Sequence, residues 1–363
     1  MPPFGKHPET LVRQDDPFNA GPPPSRLAAA PITPVEDFFV RNHGGVPVVD
    51  PAAWRLRIEG EVERPLELSL ADLAARPRRE LVATVQCAGN RRQELAELKP
   101  VPHELPWGAE AISTATWAGP ALADLLAEAR PTAAAAHVEF TGLDETERRG
   151  LRFAYGGSIP LAKAVAPETL LALEMNGTIL PPVHGYPVRA LVPGWIGARS
   201  VKWLSRIEVR RTPSENYFQS VAYRLFPAGV GPENVVWEEG AMLGEQPVTT
   251  IVTSPEPGAR ITAGRVEIAG VAYVGGPRTI ARVEVSTDGG RTWSAARLDR
   301  DHGPWAWRLW RAEIEVASGA HEIVARAFDS AGQTQPSDVG QVWNFKGYMN
   351  NAWARVAVEA TPA

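Results

Sequence analysis

Cysteine occurs once in these 363 residues. A single thiol cannot form an internal disulfide, a cysteine-based zinc site or a cysteine-bound iron–sulfur cluster. It equally excludes a c-type haem attachment, which takes two cysteines ahead of a histidine. Positive charge is not in excess either: 37 lysines and arginines face 42 acids, for a net charge of -5. The chain thus lacks the basic footprint of a nucleic-acid or anionic-membrane partner. No apolar run approaches the roughly 18 residues of a membrane span. The N-terminal MPPFGKHPETLVRQDDPFNAGPPP has neither an apolar signal core nor a twin arginine, so the cytoplasm is the expected compartment. Internal repeats and low-complexity tracts are missing too.

What remains is a globular composition, 44% hydrophobic and 22% charged, in a chain long enough for two cores. Its 32 glycines and 34 prolines imply many turns and extended segments. Residues 1 to about 35 are proline-rich and aperiodic and read as an extended arm. Residues 54–58 and 81–85 have the β-favouring look of strands. Gly119-Pro120 opens a helix whose Leu122, Leu125, Leu126 and Ala129 share a face, with Pro131 as the stop. A strand at 137–142 and an apolar run at 170–177, closed by an Asn-Gly turn, complete the mixed signals of an α+β domain. From Val248 onward helical period disappears. RVEIAGVAYV, ARVEVSTDGGRTWSAARL, HEIVARAFDSAGQ and NAWARVAVEA alternate between turns, as an immunoglobulin-like β-sandwich does. The boundary is expected near residue 245.

The lone cysteine sits in VQCAGNRR, residues 85–92. Free cysteines are usually small buried hydrophobes, and on chemistry alone that reading of Cys87 has even odds. Arg91 and Arg92 shift the balance, because adjacent guanidinium groups favour the thiolate, the form that a nucleophile or soft metal ligand requires. The seven histidines show no HExxH-like spacing, so a metal on Cys87 would draw its other ligands from a cofactor. RNHGG (41–45) would by itself be a surface loop two times in three. HGYPVR (184–189) and GARSVK (197–202) put backbone N–H groups beside Arg and Lys, a weak signal for a phosphate cradle with no P-loop in it.

In their order along the chain, DDPFNAGPP, ITPVEDFFVRNHGGVPVVD, VQCAGNRR, MNG with HGYPVR, VPGWIGARSVKWL and VWNFKGYMNNAWARV resemble the sulfite oxidases, a family of molybdenum-cofactor oxidoreductases. The arm looks like that of the plant-type members, which have no haem domain. The resemblance implies an α+β architecture: a mixed α/β molybdopterin-binding domain over 1–245 and an immunoglobulin-like β-sandwich dimerisation domain over 246–363. It implies a molybdenum cofactor (Mo-molybdopterin) with Cys87 as the metal thiolate, which supplies the missing ligands noted above. Cofactor contacts are implied at Phe39, Val40, Arg41, Asn42, His43, Asp144, His184, Arg189, Ser200, Val201 and Lys202. Arg41, Arg92, Trp107 and Tyr223 match the family's substrate pocket, and a further arginine from the second domain is Arg300 or Arg308. Val183 departs from the acid that many relatives carry before the His-Gly pair.

The implied activity is oxidation of sulfite to sulfate. Electrons would pass to oxygen or to a soluble carrier such as a cytochrome c, and the enzyme would be a homodimer. A sulfane dehydrogenase-like reaction on another sulfur compound is the alternative. Nitrate reductase is a weaker one, because the tyrosine of YRLFP favours sulfite. A metal-free hydrolase using Cys87 would need a partnering base, and no cysteine-protease signature surrounds it. A non-catalytic binding protein built on the sandwich leaves the arginines clustered around Cys87 without a purpose.

Overall fold

The computed structural model describes residues 2–362. Two β-rich units follow one another along the chain. In the first, a five-stranded sheet runs Leu66–Leu68, Leu56–Gly60, Leu204–Arg210, His137–Arg148, Leu151–Pro160 in spatial order. Leu56–Gly60 pairs parallel with Leu204–Arg210, and the other neighbours are antiparallel. Leu56, Ile58, Val138, Phe140, Ile207 and Val209 supply its buried face. The helix Leu122–Ala129 adds Leu122, Leu125, Leu126 and Ala129 to the same core, the stripe that the sequence predicts. Gly119 and Pro120 do not open that helix; they end the strand Ile112–Pro120 that precedes it.

The second sheet of this unit matters most for function. Arg78–Gln86 pairs antiparallel with Ile112–Pro120 along its whole length, and its last residue directly precedes Cys87. The pairing continues through Glu174–Met175 to Thr178–Ile179. That last hairpin turns at Asn176 and Gly177, with φ of 52° and 77°, the left-handed pair of a tight two-residue turn. Arg189–Leu191 pairs with Leu170–Ala172 beside it.

The N-terminal arm is more structured than its proline content suggests. Leu11–Gln14 and Asn19–Gly21 form a small antiparallel ladder, and Pro24–Leu27 is a short helix. Phe18, Asn19, Ala20 and Leu27 are buried. Asn19 ties the arm down: its Nδ2 donates to the carbonyls of Pro17 and Asn42, and its Oδ1 accepts from the Asn42 N–H at 2.7 Å.

The second unit packs a four-stranded sheet (Thr249–Ser254, Gly264–Tyr273, Arg308–Val316, Arg297–Leu298) against a five-stranded one (Arg260–Thr262, Ala354–Thr361, Gly319–Asp329, Ile280–Ser286, Ser294–Ala295). Inward-facing Ile268, Val283, Val285, Trp310, Ile323 and Val356 fill the space between them. The two units are joined by buried contacts. The Trp307 N–H donates to Thr84 Oγ1 at 2.8 Å, and Gln246 Nε2 donates to the Gln86 carbonyl at 3.0 Å. Arg91 Nη1 donates to the Ala352 carbonyl at 2.7 Å. The strand that carries Cys87 is therefore braced from both units.

Candidate active site

Several loops and strand segments converge on a concavity holding about 620 Å³ of atom-free space, counting its open mouth. Phe39, Arg41, Asn42 and His43 come from the segment that the arm pins through Asn19. Cys87 lies on the wall at the end of Arg78–Gln86, 6% exposed, with the Gly89 N–H 3.4 Å from its sulfur. Asp144 comes from the bulged strand His137–Arg148. His184, Arg189, Ser200 and Lys202 line the opposite side, and Tyr223 closes one end. Gly185 makes that side possible: at φ 115° it lets the chain turn, and a Cβ there would lie 3.0 Å from Arg189 and 3.1 Å from Lys202.

The remaining candidates lie off the wall. The backbone of Val40 pairs with Ala20, and the Val201 side chain joins the apolar core. Trp107 is fully buried in the cluster that contains Cys87, and its Nε1 has no partner. Arg92 is buried as well, donating to the carbonyls of Leu105, Lys346 and Gly347 at 2.9–3.2 Å, with Glu104 3.6 Å away. Its guanidinium faces Tyr348 at 5.2 Å, and Tyr348 stacks on Tyr223 at 5.4 Å, so an aromatic pair separates Arg92 from the cavity end. Gly347, at φ 61°, accommodates it; a Cβ there would come within 2.6 Å of the Arg92 side chain.

Two expectations need correction. Arg91 does not flank the thiol: its own φ of 61° starts the helix Arg92–Leu98 and sends the side chain to Glu94 and the Ala352 carbonyl. The cation beside Cys87 on the cavity wall is Arg41. Neither Arg300 nor Arg308 reaches the cavity. Arg308 begins a sandwich strand and is held by Asp301 at 3.0 Å and the Asp299 carbonyl at 2.7 Å. The sequence reading also passed over Tyr155, on the wall, and Lys6, behind it, and it noticed Arg199, also behind the wall, only as part of GARSVK. Neither Tyr155 nor Lys6 carries a local pattern; folding alone brings them there.

The electrostatics of the cavity are lopsided. Arg41, Lys202 and Arg189 line it, Arg199 and Lys6 are buried behind it, and among the described residues Asp144 is the only carboxylate on the wall. Burial pushes Arg189 down to about 10. It also drives Lys202 far below its usual value, aided by Arg189, Arg41 and Lys6 and opposed by Asp144. Burial raises Asp144 to about 6 against the pull of Lys202. For Arg41 burial acts downward, but Tyr223, Cys87, Glu104 and Tyr348 outweigh it and leave the guanidinium raised. Asp144 Oδ1 and Arg189 Nε are buried without partners, and Lys202 Nζ is crowded onto Asn42 Oδ1. Buried cations left uncompensated in this way are costly. The donor set fits an anionic group, with Arg189 and Lys202 as charge-assisted donors to phosphate. Among the described residues no group of three or more His, Cys, Asp or Glu side chains could hold a metal, so a metal on Cys87 fits only if the bound group brings further ligands.

Hydrogen bonding also fixes a proton. Burial, with Arg41, Arg148, Lys202 and Arg92 adding to it, holds His43 far below its usual pKa and keeps it neutral. Arg41 Nη2 lies 3.1 Å from His43 Nδ1 and can only donate, so Nδ1 accepts and Nε2 carries the hydrogen. Nε2–H then donates to the Tyr223 oxygen at 2.7 Å. The Tyr223 hydroxyl hydrogen is left free for a ligand in the cavity. Burial pushes Tyr223 up to about 12, so it acts as a donor and not as a base.

Comparison with known proteins agrees with this geometry. The oxidoreductase molybdopterin binding domain matches residues 43–218, and the Mo-co oxidoreductase dimerisation domain matches residues 241–361. The chain is 45% identical to sulfite oxidase of Gallus gallus over 96% of its length and 78% of that protein. It is 38% identical to sulfite oxidase of Arabidopsis thaliana over 97% of its length and 94% of that protein. The structure superposes on the sulfane dehydrogenase of Paracoccus pantotrophus with a TM-score of 0.82 at 27% identity, over 97% of this chain and 89% of the other. The mixed α+β first unit, the sandwich after it and the anion-ready cavity with its single thiol are those of a molybdopterin-binding oxidoreductase, and the chain belongs to the sulfite oxidase family.

Proposed function

We propose that this protein oxidises sulfite to sulfate at a molybdenum–pterin cofactor held in the cavity. The observation that carries the reading is the wall itself: one thiol, Cys87, beside buried Arg189 and half-buried Arg41 and Lys202, an excess of positive charge that a bound anion would compensate. When bound, the cofactor supplies the two-electron redox centre and the sulfur ligands that the chain lacks. Everything else falls to the protein. Cys87 offers the metal a thiolate. Arg189 and Lys202, with the Ser200 loop, hold the phosphate end by charge-assisted hydrogen bonds. Asp144 and His184 accept from and donate to the pterin edge.

Sulfite is a small oxyanion, and planar guanidinium groups are its natural receptors. Arg41 offers one at the wall, and Arg92 adds positive charge behind Tyr348. Tyr223, its hydroxyl hydrogen freed by His43, donates to a substrate oxygen and orients it. Oxidation of one sulfite consumes one water and releases two protons and two electrons. The acceptor of those electrons is oxygen or a separate carrier such as a cytochrome c, and the second unit joins two copies into a homodimer. The 45% and 38% identities to sulfite oxidases favour sulfite over the substrate of the structurally similar sulfane dehydrogenase.

The test is a sulfite assay run separately with oxygen, ferricyanide and cytochrome c. Sulfite-dependent reduction of at least one acceptor, with two electrons per sulfite, is expected. Turnover with none of them by protein carrying its cofactor, or faster turnover of a sulfane or of nitrate, would overturn the assignment.

A further inference from the structure

We propose that Lys6, in the N-terminal arm, is a positioning residue that fixes the tautomer of His184 and leaves its Nδ1–H for the cofactor. The proposal rests on the reading of the cavity as a molybdenum–pterin site. Lys6 is only 5% exposed. Its Nζ lies 2.6 Å from the Val35 carbonyl, 2.7 Å from the Phe38 carbonyl and 2.8 Å from His184 Nε2. As an ammonium, the form that predominates below the value of about 7 to which burial lowers it, Lys6 has three hydrogens and no lone pair, so these three acceptors fill its complement and Nε2 must be one of them. The two short carbonyl contacts are in the range of charge-assisted bonds. The imidazole proton then resides on Nδ1.

The rest of the surroundings agree. His184 is kept neutral first by burial, then by Lys6, Lys202 and Arg189, with the Val35 carbonyl acting the other way. The edge of Phe38 meets the ring at 5.2 Å and limits its rotation. Nδ1 makes no hydrogen bond to the described residues, and the ring lines the cavity. Its N–H is therefore the one donor that His184 can extend to a bound acceptor. Arg41 treats His43 in the same way: a cation that can only donate occupies one ring nitrogen and commits the other. Lys6 thus joins the arm to the cofactor site across 178 positions of sequence.

The tautomer can be read directly from ¹⁵N-histidine spectra of the full-length chain without cofactor, at pH 6, where the ammonium predominates because burial lowers Lys6 to about 7. A His184→Gln variant assigns the signal. A neutral ring with bare Nε2 and protonated Nδ1 is expected, retained in Lys6→Arg and lost in Lys6→Met. The protein loaded with cofactor should release its pterin about tenfold faster in Lys6→Met than in Lys6→Arg, the scale on which outer partners tune a bound metal group. Should circular dichroism show Lys6→Met unfolded, Lys6→Gln replaces it with the same expectations. A protonated Nε2 in the unsubstituted chain, or an unchanged tautomer and release rate in Lys6→Met, would overturn the proposal. A chain that never binds pterin would defeat the cofactor reading instead, because the tautomer is measured without it.

Discussion

The two units handle buried charge in opposite ways. In the sandwich, charges sit at the surface in pairs: Arg265 with Glu313, Arg311 with Glu267, and Arg355 with Glu322. Its buried acid Asp329 is answered by Arg278 at 3.1 Å. Around the cavity of the first unit, Arg189, Arg199 and Lys6 are buried and Arg41 and Lys202 half-buried, with Asp144, among the described residues, as the one carboxylate on the wall. These sandwich charges are paired without a ligand, and the cations of the cavity outnumber their one wall carboxylate. Exposed pairs contribute little to stability, whereas a buried cation without a counterion costs several kcal/mol on the scale of such groups. A fold keeps such a cost where a bound anion offsets it.

The contrast breaks most severely at the thiol. Cys87→Ser should lose sulfite turnover by more than the roughly 10–100-fold that outer partners control, with the circular dichroism of the fold unchanged; undiminished turnover with cofactor bound would refute the ligand role. Next comes Arg189→Met, which removes a cation that has no carboxylate partner. Cofactor retained through purification should fall about tenfold or more, as expected for one lost charge-assisted bond of roughly 1.5–3 kcal/mol. Inorganic phosphate should raise the thermal midpoint of the cofactor-free chain, and Arg189→Met should abolish that gain. Arg355→Ala, in a sandwich pair, should leave both measurements unmoved. Equal effects of the two variants would erase the distinction between the units.

Smaller changes sharpen the comparison. Arg92→Gln, which removes a charge held behind Tyr348 and not a direct contact, should raise the KM for sulfite by roughly two- to fivefold, the scale of a through-space charge of under about 1 kcal/mol, and an unchanged kcat/KM would remove Arg92 from substrate recognition. Asp144 gives a pH signature in the cofactor-free chain. Its carboxyl is raised from 3.8 to about 6 by burial, so between those values the folded state binds more protons than the unfolded one. Stability therefore falls as pH rises through that window, and Asp144→Asn should flatten the fall in a denaturant titration; an identical slope in the variant would place the titration elsewhere.

Much of this was legible in the residues. The helix face of Leu122, Leu125, Leu126 and Ala129, the Asn176-Gly177 turn and the alternation after Val248 are local patterns, and the chain follows them. Phe39, Arg41, Asn42, His43, Cys87, Asp144, His184, Arg189, Ser200, Lys202 and Tyr223, named through the family resemblance from positions scattered over the first 223, all line one cavity. What escaped depends on direction and distance. Arg91 and Arg92 are adjacent, both within five residues of Cys87, yet a left-handed backbone at Arg91 sends its side chain away toward Glu94. Lys6 sits in a proline-rich arm with no periodicity, and only the ladder and the Asn19 bonds of that arm bring its ammonium under His184. Arg308 looked available because its partners, Asp301 and the Asp299 carbonyl, are apparent only once the strand is formed.

The most direct measurement is the metal and pterin content of the protein purified from a host that makes the molybdenum cofactor. About one molybdenum and one pterin per chain are expected, both lost together in Arg189→Met and the metal alone destabilised in Cys87→Ser. Folded protein from such a host carrying neither would contradict the assignment of this cavity.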